Sequence, residues 1–211
     1  MNDDRCVIVS GGERGPIPRE SCGCVIACDR GLAYCLESGV VPDVFVGDFD
    51  SYSGEVPAGT ELIRLPTRKD DTDTGFAVRL AIERGFSRIV LVCALGGRLD
   101  HALANLQTCA DAAMRGAEVS ILADDTEVFF LAGGGMLRLP KRDGWSLSVL
   151  AATDRASGVT ITGCRYPLSD AVLTSRFPLG VSNEQTAPEA SICVAEGVLM
   201  VVRSSLLHER A

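Results

Sequence analysis

The pattern of apolar residues changes once along this chain, close to residue 124. Before that point, short apolar runs alternate with segments whose apolar residues recur every three or four positions; after it, only the short runs remain. Strands that alternate with amphipathic helices form a mainly parallel sheet flanked by helices, whereas closely spaced strands without helices form an antiparallel sandwich or barrel. The sequence therefore predicts an α/β domain over residues 1–124 and an all-β domain, an antiparallel β-sandwich, over residues 125–211.

Individual elements follow from the same periodicities. In the first domain, strands are predicted at 6–10, 24–27, 44–46, 61–65, 88–94 and 118–123, and helices at 30–38, 73–84 and 100–115. Gly85 and Gly116 follow the last two helices, where glycine commonly ends a helix. In the second domain, strands are predicted at 126–131, 136–139, 145–151, 158–162, 171–175 and 192–202.

The formal charge of −8 argues against whole classes of function. Nucleic-acid binding needs a positive surface, and so does binding to an anionic membrane. The chain opens Met1-Asn2-Asp3-Asp4-Arg5, which lacks the pattern of a signal peptide, and no apolar run approaches the roughly 20 residues of a membrane span. The nine scattered cysteines are therefore expected to be reduced thiols, and the expected location is the cytoplasm.

Three cysteines in and beside the second predicted strand, Cys22, Cys24 and Cys28, would share one face if the alternation of a strand continues over them, and they allow two interpretations. Thiolates this close can bind zinc, but a zinc site needs four ligands, and the two histidines, His101 and His208, are distant in the sequence. Cysteine is also a common small apolar residue of protein cores. The core-strand interpretation is the one favoured.

The clearest chemical signal is Gly47-Asp48-Phe49-Asp50-Ser51, directly after a buried strand. In an extended chain, Asp48 and Asp50 project to the same side, roughly 7 Å apart. Open parallel sheets bind ligands beyond the carboxyl ends of their strands, and carboxylates that crowd there are stabilised by a cation such as Mg²⁺. Asp and Ser are also common turn residues, so this segment alone does not separate a metal site from a turn.

A second cluster, Lys69-Asp70-Asp71-Thr72-Asp73, lies between a predicted strand and a predicted helix. Asp70 or Thr72 can cap that helix, and acidic side chains suit its positive end. Capping does not account for Lys69, a candidate phosphate ligand. Nor does it explain why so many carboxylates share the edge of the sheet with Asp48 and Asp50, whereas metal binding accounts for them.

A third cluster, Gly96-Gly97-Arg98-Leu99-Asp100-His101, follows the strand predicted at 88–94, with Asn105 one turn further along the helix. Glycines let the backbone approach a phosphate closely, and Arg98 can donate two hydrogen bonds to phosphate oxygens. His101 is a candidate general base, although a histidine in the first turn of a helix is more often a hydrogen-bonding partner. A weaker signal, the glycine turn Ser10-Gly11-Gly12-Glu13, follows the first strand.

The common phosphate-binding and catalytic loops are absent from the sequence. It contains no G-x-x-x-x-G-K-[ST] phosphate loop, no protein-kinase signature, no G-x-S-x-G elbow and no dinucleotide fingerprint. A protein that handles phosphates without these loops has to neutralise their charge mainly with metal ions and a few cationic side chains.

Several of these segments together resemble the thiamine pyrophosphokinase family. The matching residues, in chain order, are Asp29-x-Gly31, Pro42-Asp43, Gly47-Asp48-Phe49-Asp50-Ser51, Lys69-Asp70-x-Thr72-Asp73 and Gly96-Gly97-Arg98-x-Asp100-His101-x-x-x-Asn105. In the second domain, Tyr166-Pro167-Leu168 and Gly180-Val181-Ser182-Asn183-Glu184 resemble the C-terminal signature of the bacterial members. Ordered blocks at compatible spacings over nearly the whole chain are more specific than any one block.

The resemblance implies a Mg²⁺-dependent transfer of the diphosphate group of ATP to the hydroxyl of thiamine, which gives thiamine diphosphate and AMP. It also implies a homodimer, with thiamine bound between the two kinds of domain at the dimer interface. By position, Asp48, Asp50 and Asp73 are the expected metal ligands, with Asp70 as an additional candidate. The residues expected around ATP are Asp29, Gly31, Lys69, Asp70, Thr72, Gly97, Arg98, Asp100, His101 and Asn105, and those expected beside thiamine are Ser182 and Asn183. The expected catalytic group is Asp48, Asp50, Asp73, Lys69 and Arg98.

One segment departs from the family pattern. Cys28-Asp29-Arg30-Gly31 replaces the family's usual Ala-Asp-Gly-Gly, so a long cation occupies the position of a small residue. The departure affects the expected contacts with nucleotide or thiamine, but not the metal cluster. The only tryptophan, Trp145, is expected in a core strand rather than as a stacking platform.

The expected chemistry is an in-line attack of the thiamine hydroxyl on the β-phosphorus of ATP, in which positioning and charge neutralisation supply most of the acceleration. Lys69 and Arg98 are expected to stabilise the developing charge, and Asp73 and Asp100 are both candidates to accept the hydroxyl proton. Two alternatives stay open: a magnesium-dependent nucleotide hydrolase and a non-catalytic thiamine or nucleotide sensor. A hydrolase would not need Ser182 and Asn183, and a sensor would not need several metal ligands.

Overall fold

The computed structural model describes residues 4–18, 22–47, 55–66 and 70–207. The chain divides into two compact units: the first runs up to Ala112 and includes Ala117–Asp124, and the second comprises Ala113–Gly116 and the chain from Asp125 onward. Within the described ranges, no helix combines the length and the apolar character needed to cross a membrane.

The first unit is built on a parallel sheet. Its described strands are β1 Arg5–Val9, β2 Cys24–Cys28, β3 Val44–Gly47, β4 Glu61–Arg64, β5 Arg88–Val92 and β6 Glu118–Leu122. They lie in the order β6-β5-β1-β2-β3-β4, and each neighbouring pair is parallel. Nearly every residue of β1, β2 and β3 is buried, as is typical of parallel strands covered on both faces.

Helices connect these strands, as the sequence predicts. They are α1 Gly31–Glu37, α2 Asp73–Glu83 and α3 Leu99–Met114. Leu32 and Cys35 of α1 are fully buried in a core that also contains Val9 and Phe45. The apolar stripe of α2 buries Ala77, Val78 and Ala81. The residue after its C-cap, Gly85, adopts a φ of 84°, which glycine adopts without steric cost.

The second unit consists of two antiparallel sheets. Its strands are β7 Thr126–Ala132, β8 Met136–Pro140, β9 Trp145–Ala151, β10 Arg155–Thr162, β11 Leu168–Thr174, β12 Gly180–Asn183, β13 Glu189–Cys193 and β14 Val198–Ser205. One sheet has the order β12-β9-β14-β7 and the other β11-β10-β13-β8. Leu147 and Leu199 of the first sheet and Ile161 and Ile192 of the second lie in one buried core. The predicted combination of an α/β unit and a β-sandwich is confirmed.

One strand prediction in this unit is wrong. The apolar run 192–202 is not a single strand, because Gly197 turns the chain with a φ of 84° and separates β13 from β14. β13 pairs with β8 and β10, whereas β14 pairs with β7 and β9. The run therefore contributes one strand to each sheet. The sequence analysis also missed the short strand β12, of which only Asn183 is buried.

Candidate active site

The first unit carries a cleft where its strand order reverses. The chain leaves β1 towards β2, β3 and β4 on one side and returns to β5 and β6 on the other. Open α/β sheets bind ligands beyond the carboxyl ends of their strands at such a switch point. A cleft of about 1020 Å³ opens there, lined by residues that follow β1, β2 and β5 and by the first turns of α2 and α3.

The cleft brings together most of the described residues that the sequence predicts around ATP. These are Asp29, Thr72, Gly97, Arg98, His101 and Asn105, and the predicted metal ligand Asp73 lines the cleft as well. Gly31, Asp70 and Asp100 do not line it. Asp48, Asp50 and Lys69 lie outside the described residues, so their predicted roles stay predictions.

One wall of the cleft is the glycine turn after β1. The Gly12 N–H donates to the Cys93 carbonyl at 2.7 Å and the Glu13 N–H to the Leu95 carbonyl at 2.8 Å, which extends the pairing of β1 with β5 beyond the strands. A Cβ on Gly12 would lie 2.5 Å from the Leu95 oxygen. The Tyr34 hydroxyl donates to the Gly12 carbonyl at 3.0 Å. Tyr34 also lines the cleft, although nothing in the sequence singled it out.

Asp29 lies at the carboxyl end of β2 in a left-handed backbone conformation, with φ of 46°. Its N–H donates to the Val46 carbonyl at 3.1 Å, which ties this turn to β3. A Cβ on Gly47 would lie 2.7 Å from Oδ1 of Asp29. The Asp29 carboxylate therefore lies against Gly47, the residue that precedes Asp48 in the sequence.

The first turn of α2 fixes Asp73. Thr72 is the N-cap, and its Oγ1 accepts a hydrogen bond from the Gly75 N–H at 2.9 Å. Asp71 accepts from the Thr72 N–H at 2.8 Å and forms an ion pair with Arg79, so its carboxylate stabilises the helix start. Asp70 is exposed. Capping is thus the role of Thr72, the second of the two capping candidates.

The pairing of two side chains beneath this turn was not predicted from the sequence. The hydroxyls of Ser10 and Thr74 lie 2.7 Å apart, and both residues are buried. The Cys28 thiol donates to the Asp73 carbonyl at 3.7 Å. The ends of β1 and β2 therefore both hold the turn that carries Asp73. Ser and Thr are too common in turns for either to stand out in the sequence.

The first turn of α3 presents Arg98 and Asp100 as a pair. Nη2 and Nε of Arg98 donate to the two carboxylate oxygens of Asp100 at 2.6 and 3.1 Å. Both side chains are exposed, and this hydrogen bonding holds the pKa of Asp100 below its ordinary value. Asn105 is buried, and its Nδ2 donates to the Ala94 carbonyl at 2.8 Å. His101 is exposed at the cleft.

Gly31 has a packing role in this structure. It is buried at the start of α1, where a Cβ would overlap the carbonyl oxygen of Val9. Only glycine lets α1 begin this close to the end of β1.

In the second unit, the two residues predicted to face thiamine differ in their exposure and in their hydrogen bonds. Asn183 is buried, accepts from the N–H groups of Tyr166 and Glu184 at 3.0 Å each, and donates to the Tyr166 carbonyl at 2.8 Å. Its amide therefore braces two chain segments. Ser182 is exposed, with φ of 57°, and its N–H donates to Oγ of Ser148.

Trp145 is the first residue of β9 and is half-buried. The guanidinium of Arg142 lies 4.5 Å from the centroid of its ring.

The cysteines do not form a metal centre in the described part of the chain, where no group of three or more His, Cys, Asp or Glu side chains is placed to hold a metal ion. Cys24 and Cys28 are buried core residues of β2, as the favoured interpretation holds. A hydrogen bond with Cys24 and burial raise the pKa of Cys6, and burial raises the pKa of Cys28. The predicted cluster of Asp48, Asp50 and Asp73 falls only partly within the described ranges.

An open parallel sheet with carboxylates, arginines and glycine turns at its switch point, in a chain whose second unit is a β-sandwich, is typical of the class of α/β proteins that bind phosphorylated ligands. Family models agree with this class. Residues 19–121 match the model of the thiamin pyrophosphokinase catalytic domain, and residues 136–199 match that of the thiamin pyrophosphokinase vitamin B1 binding domain. The chain belongs to the thiamine pyrophosphokinase family, as the motif resemblance predicts, and is an enzyme of that family.

Individual relatives cover almost the whole chain. A thiamine pyrophosphokinase of Bacillus subtilis is 26% identical over 208 residues, which is 94% of this chain and 97% of the relative. The crystal structure of a thiamin pyrophosphokinase family protein from Enterococcus faecalis is 29% identical, with a TM-score of 0.82 and coverage of 95% and 99% of the two chains. That of a thiamin pyrophosphokinase from Geobacillus thermodenitrificans is 27% identical, with a TM-score of 0.79 and coverage of 95% and 97%.

Proposed function

We propose that this chain transfers the diphosphate group of ATP to the hydroxyl of thiamine, releases AMP and uses Mg²⁺ as its cofactor. The observation that carries the proposal is the convergence of Asp29, Asp73 and Arg98 with two glycine turns in one cleft. The matching relatives are named thiamine pyrophosphokinases, and one matching model is described as a vitamin B1 binding domain. ATP is the phosphate donor of this family.

The described donors suit a hard divalent cation. Asp29 and Asp73 supply carboxylate oxygens, and the missing side chain of Gly47 leaves space that the Asp29 carboxylate occupies. Mg²⁺ prefers such oxygen ligands, together with water and substrate phosphates. We expect Asp73 to bind it with Asp48 and Asp50, and Asp70 is an additional candidate. Bound Mg²⁺ would neutralise charge on the triphosphate and on the departing AMP.

The side chains of the cleft have complementary roles in this proposal. Asp100 orients the Arg98 guanidinium, whose planar fork suits phosphate oxygens. Lys69 is the expected second cation, and Thr72 fixes the start of the helix that carries Asp73. Asp73 and Asp100 are the two candidates to accept the thiamine hydroxyl proton. Ser182 supplies an exposed hydroxyl for thiamine, whereas Asn183 would act by shaping the segment around it.

The test is to identify the nucleotide product. Purified protein is incubated with ATP and Mg²⁺, with and without thiamine, and the products are separated by ion-exchange chromatography. We expect AMP and thiamine diphosphate in equal amounts, and only when thiamine is present. ADP as the product would overturn the proposal. Nucleotide consumption that ignores thiamine would identify a hydrolase, and ligand-induced thermal stabilisation without turnover would identify a sensor.

The proposal includes a homodimer in the cytoplasm. The connection between β11 and β12 exposes Phe177 and Leu179, and the strand β12 exposes Val181; each has half or more of its surface open to solvent. β12 also ends its sheet, with pairing on one side only. Edge strands with exposed apolar side chains favour association. Sedimentation equilibrium should give twice the chain mass, and a monomer at assay concentration would remove this part of the proposal.

A further inference from the structure

Arg30 lines the cleft at the position where the resembling family has a glycine. Its backbone is fixed on both sides. The left-handed turn at Asp29 precedes it, and Gly31, packed against the Val9 carbonyl, follows it. Its Cβ lies 3.6 Å from the position of a Cβ on Gly11, so the start of the side chain runs beside the glycine turn after β1.

The two arginines that line the described part of the cleft differ in their partners. The guanidinium of Arg98 donates hydrogen bonds to both carboxylate oxygens of Asp100. Arg30 is exposed and makes no ion pair or side-chain hydrogen bond with any described residue. With respect to the described residues, the Arg30 guanidinium therefore has all five N–H donors available for a ligand.

The charge of each substrate decides what Arg30 can bind. Thiamine carries a permanently cationic thiazolium ring, which an arginine repels. A nucleotide triphosphate carries several negative charges, and an arginine forms its strongest hydrogen bonds with phosphate oxygens in the two-pronged geometry. Asp73, which lines the same cleft, would hold a cation near these phosphates under the proposed function.

We propose that Arg30 is a phosphate-binding residue of this cleft, which contacts the β- and γ-phosphates of ATP. The inference rests on the proposed function for the identity of the nucleotide. It assigns to this chain a nucleotide contact that the family pattern lacks.

The test is calorimetric titration with α,β-methylene-ATP and Mg²⁺, because this analogue cannot release AMP and the readout needs no turnover. We expect Arg30→Gln and Arg30→Gly to weaken binding of the analogue by about 10- to 100-fold, as expected for a charge-assisted hydrogen bond. Arg30→Lys should restore part of this loss, since it restores the charge without the fork. Binding of AMP, which has no β- or γ-phosphate, should change by less than about twofold, because long-range effects of an exposed charge are screened.

The matched control is Arg14→Gln, which removes the same charge nearby. Arg14 pairs with Glu37 at 2.8 Å and does not line the cleft, so nucleotide binding should be unchanged. The proposal is overturned if Arg30→Gly binds the analogue as tightly as the unmodified chain, or if Arg14→Gln loses as much affinity. Equal losses for AMP and the analogue would also overturn it. If the unmodified chain binds the analogue but transfers nothing to thiamine, the proposed function is wrong. The effect of the Arg30 variants on binding of the analogue can still be measured in that case.

Discussion

Oγ of Ser10 and Oγ1 of Thr74 lie 2.7 Å apart and are buried at the base of the cleft, although 64 positions separate the two residues in the sequence. Ser10 follows β1 and Thr74 belongs to the first turn of α2, next to Asp73. The bond joins the centre of the sheet to the turn that carries the expected metal ligand. A buried hydroxyl without its partner costs more than the bond itself contributes, so the pair acts as a unit.

Removing one member of this pair should destabilise the protein more than removing both. Thr74→Val preserves shape but leaves the Ser10 hydroxyl unpaired, at a cost of about 1–3 kcal/mol. The double variant Ser10→Ala/Thr74→Val should recover part of that loss, because no polar group remains buried alone. Thermal unfolding followed by circular dichroism measures both. Costs that simply add would show that the two hydroxyls are independent.

Replacing Asp73 should abolish transfer without unfolding the protein. Asp73→Asn preserves size but removes a charge that the proposed Mg²⁺ site needs, and we expect a loss of about 100-fold or more in kcat. Binding of Mn²⁺ in the presence of nucleotide, followed by electron paramagnetic resonance, should weaken in parallel. Glu83→Gln, at the other end of α2, is the matched control and should retain activity. Normal Mn²⁺ binding by Asp73→Asn would remove Asp73 from the metal site.

Two glycines beside the cleft should respond to alanine in opposite ways. Gly31→Ala forces a methyl group into the Val9 carbonyl, a backbone atom that cannot move aside, so we expect a loss of about 3 kcal/mol or more. Gly47→Ala meets Oδ1 of Asp29, the end of a side chain that can rotate. This variant should fold with a loss near 1 kcal/mol or less but bind Mn²⁺ and nucleotide more weakly. If folded Gly47→Ala binds Mn²⁺ and nucleotide with unchanged affinity, Asp29 does not belong to the binding site.

Alanine substitutions at Asn183 and Ser182 should have different effects, because we expect Asn183 to act in stability and Ser182 in thiamine binding. Asn183→Ala removes three hydrogen bonds from buried or half-buried groups, and we expect about 2 kcal/mol or more of destabilisation. Ser182→Ala removes only an exposed hydroxyl, so its melting temperature should stay unchanged while the KM for thiamine rises. An unchanged KM in Ser182→Ala would leave the predicted thiamine contact without support.

Alkylation should sort the cysteines by burial. Burial raises the pKa of Cys35 to about 12, so at pH 8 only about one thiol in ten thousand is the reactive thiolate. Cys22 and Cys193 are half-buried and should react first with iodoacetamide, whereas Cys6, Cys28 and Cys109 should react only after denaturation. Peptide mass spectrometry after short labelling measures the order. Rapid labelling of Cys28 in the folded protein would mean that the base of the cleft opens.

The sequence predicts the fold well where a single periodicity governs an element. The stripe that includes Ala77 and Ala81 predicts α2 to within one residue, because local spacing alone decides which face is buried. The run 192–202 fails because both of its halves are equally apolar, and only the turn at Gly197 assigns them to different sheets. Nothing in the local pattern records which sheet a strand will join.

Asp29, which the motif resemblance names, and Arg98, which follows a glycine pair, both line the cleft, while their predicted roles stay predictions. The bond between Ser10 and Thr74 and the contact of Tyr34 with Gly12 were not predicted, because the partners are remote in the sequence and meet only once α1 and α2 pack beside the end of β1. The sequence also does not distinguish a side chain that contacts a ligand from one that hydrogen-bonds the protein's own backbone. The block that contains Asn183 is recognised for its residue types, yet the amide hydrogen-bonds the protein's own backbone.

The central place of β1 has a consequence for how this protein is made. During synthesis, β1 emerges before β5, which is one of its two neighbours and begins only at Arg88. Until then, one side of an almost wholly apolar strand has no hydrogen-bonding partner, and such edges are prone to stick to other chains. We therefore expect the unpaired edge of β1 to be prone to aggregation until β5 has been translated.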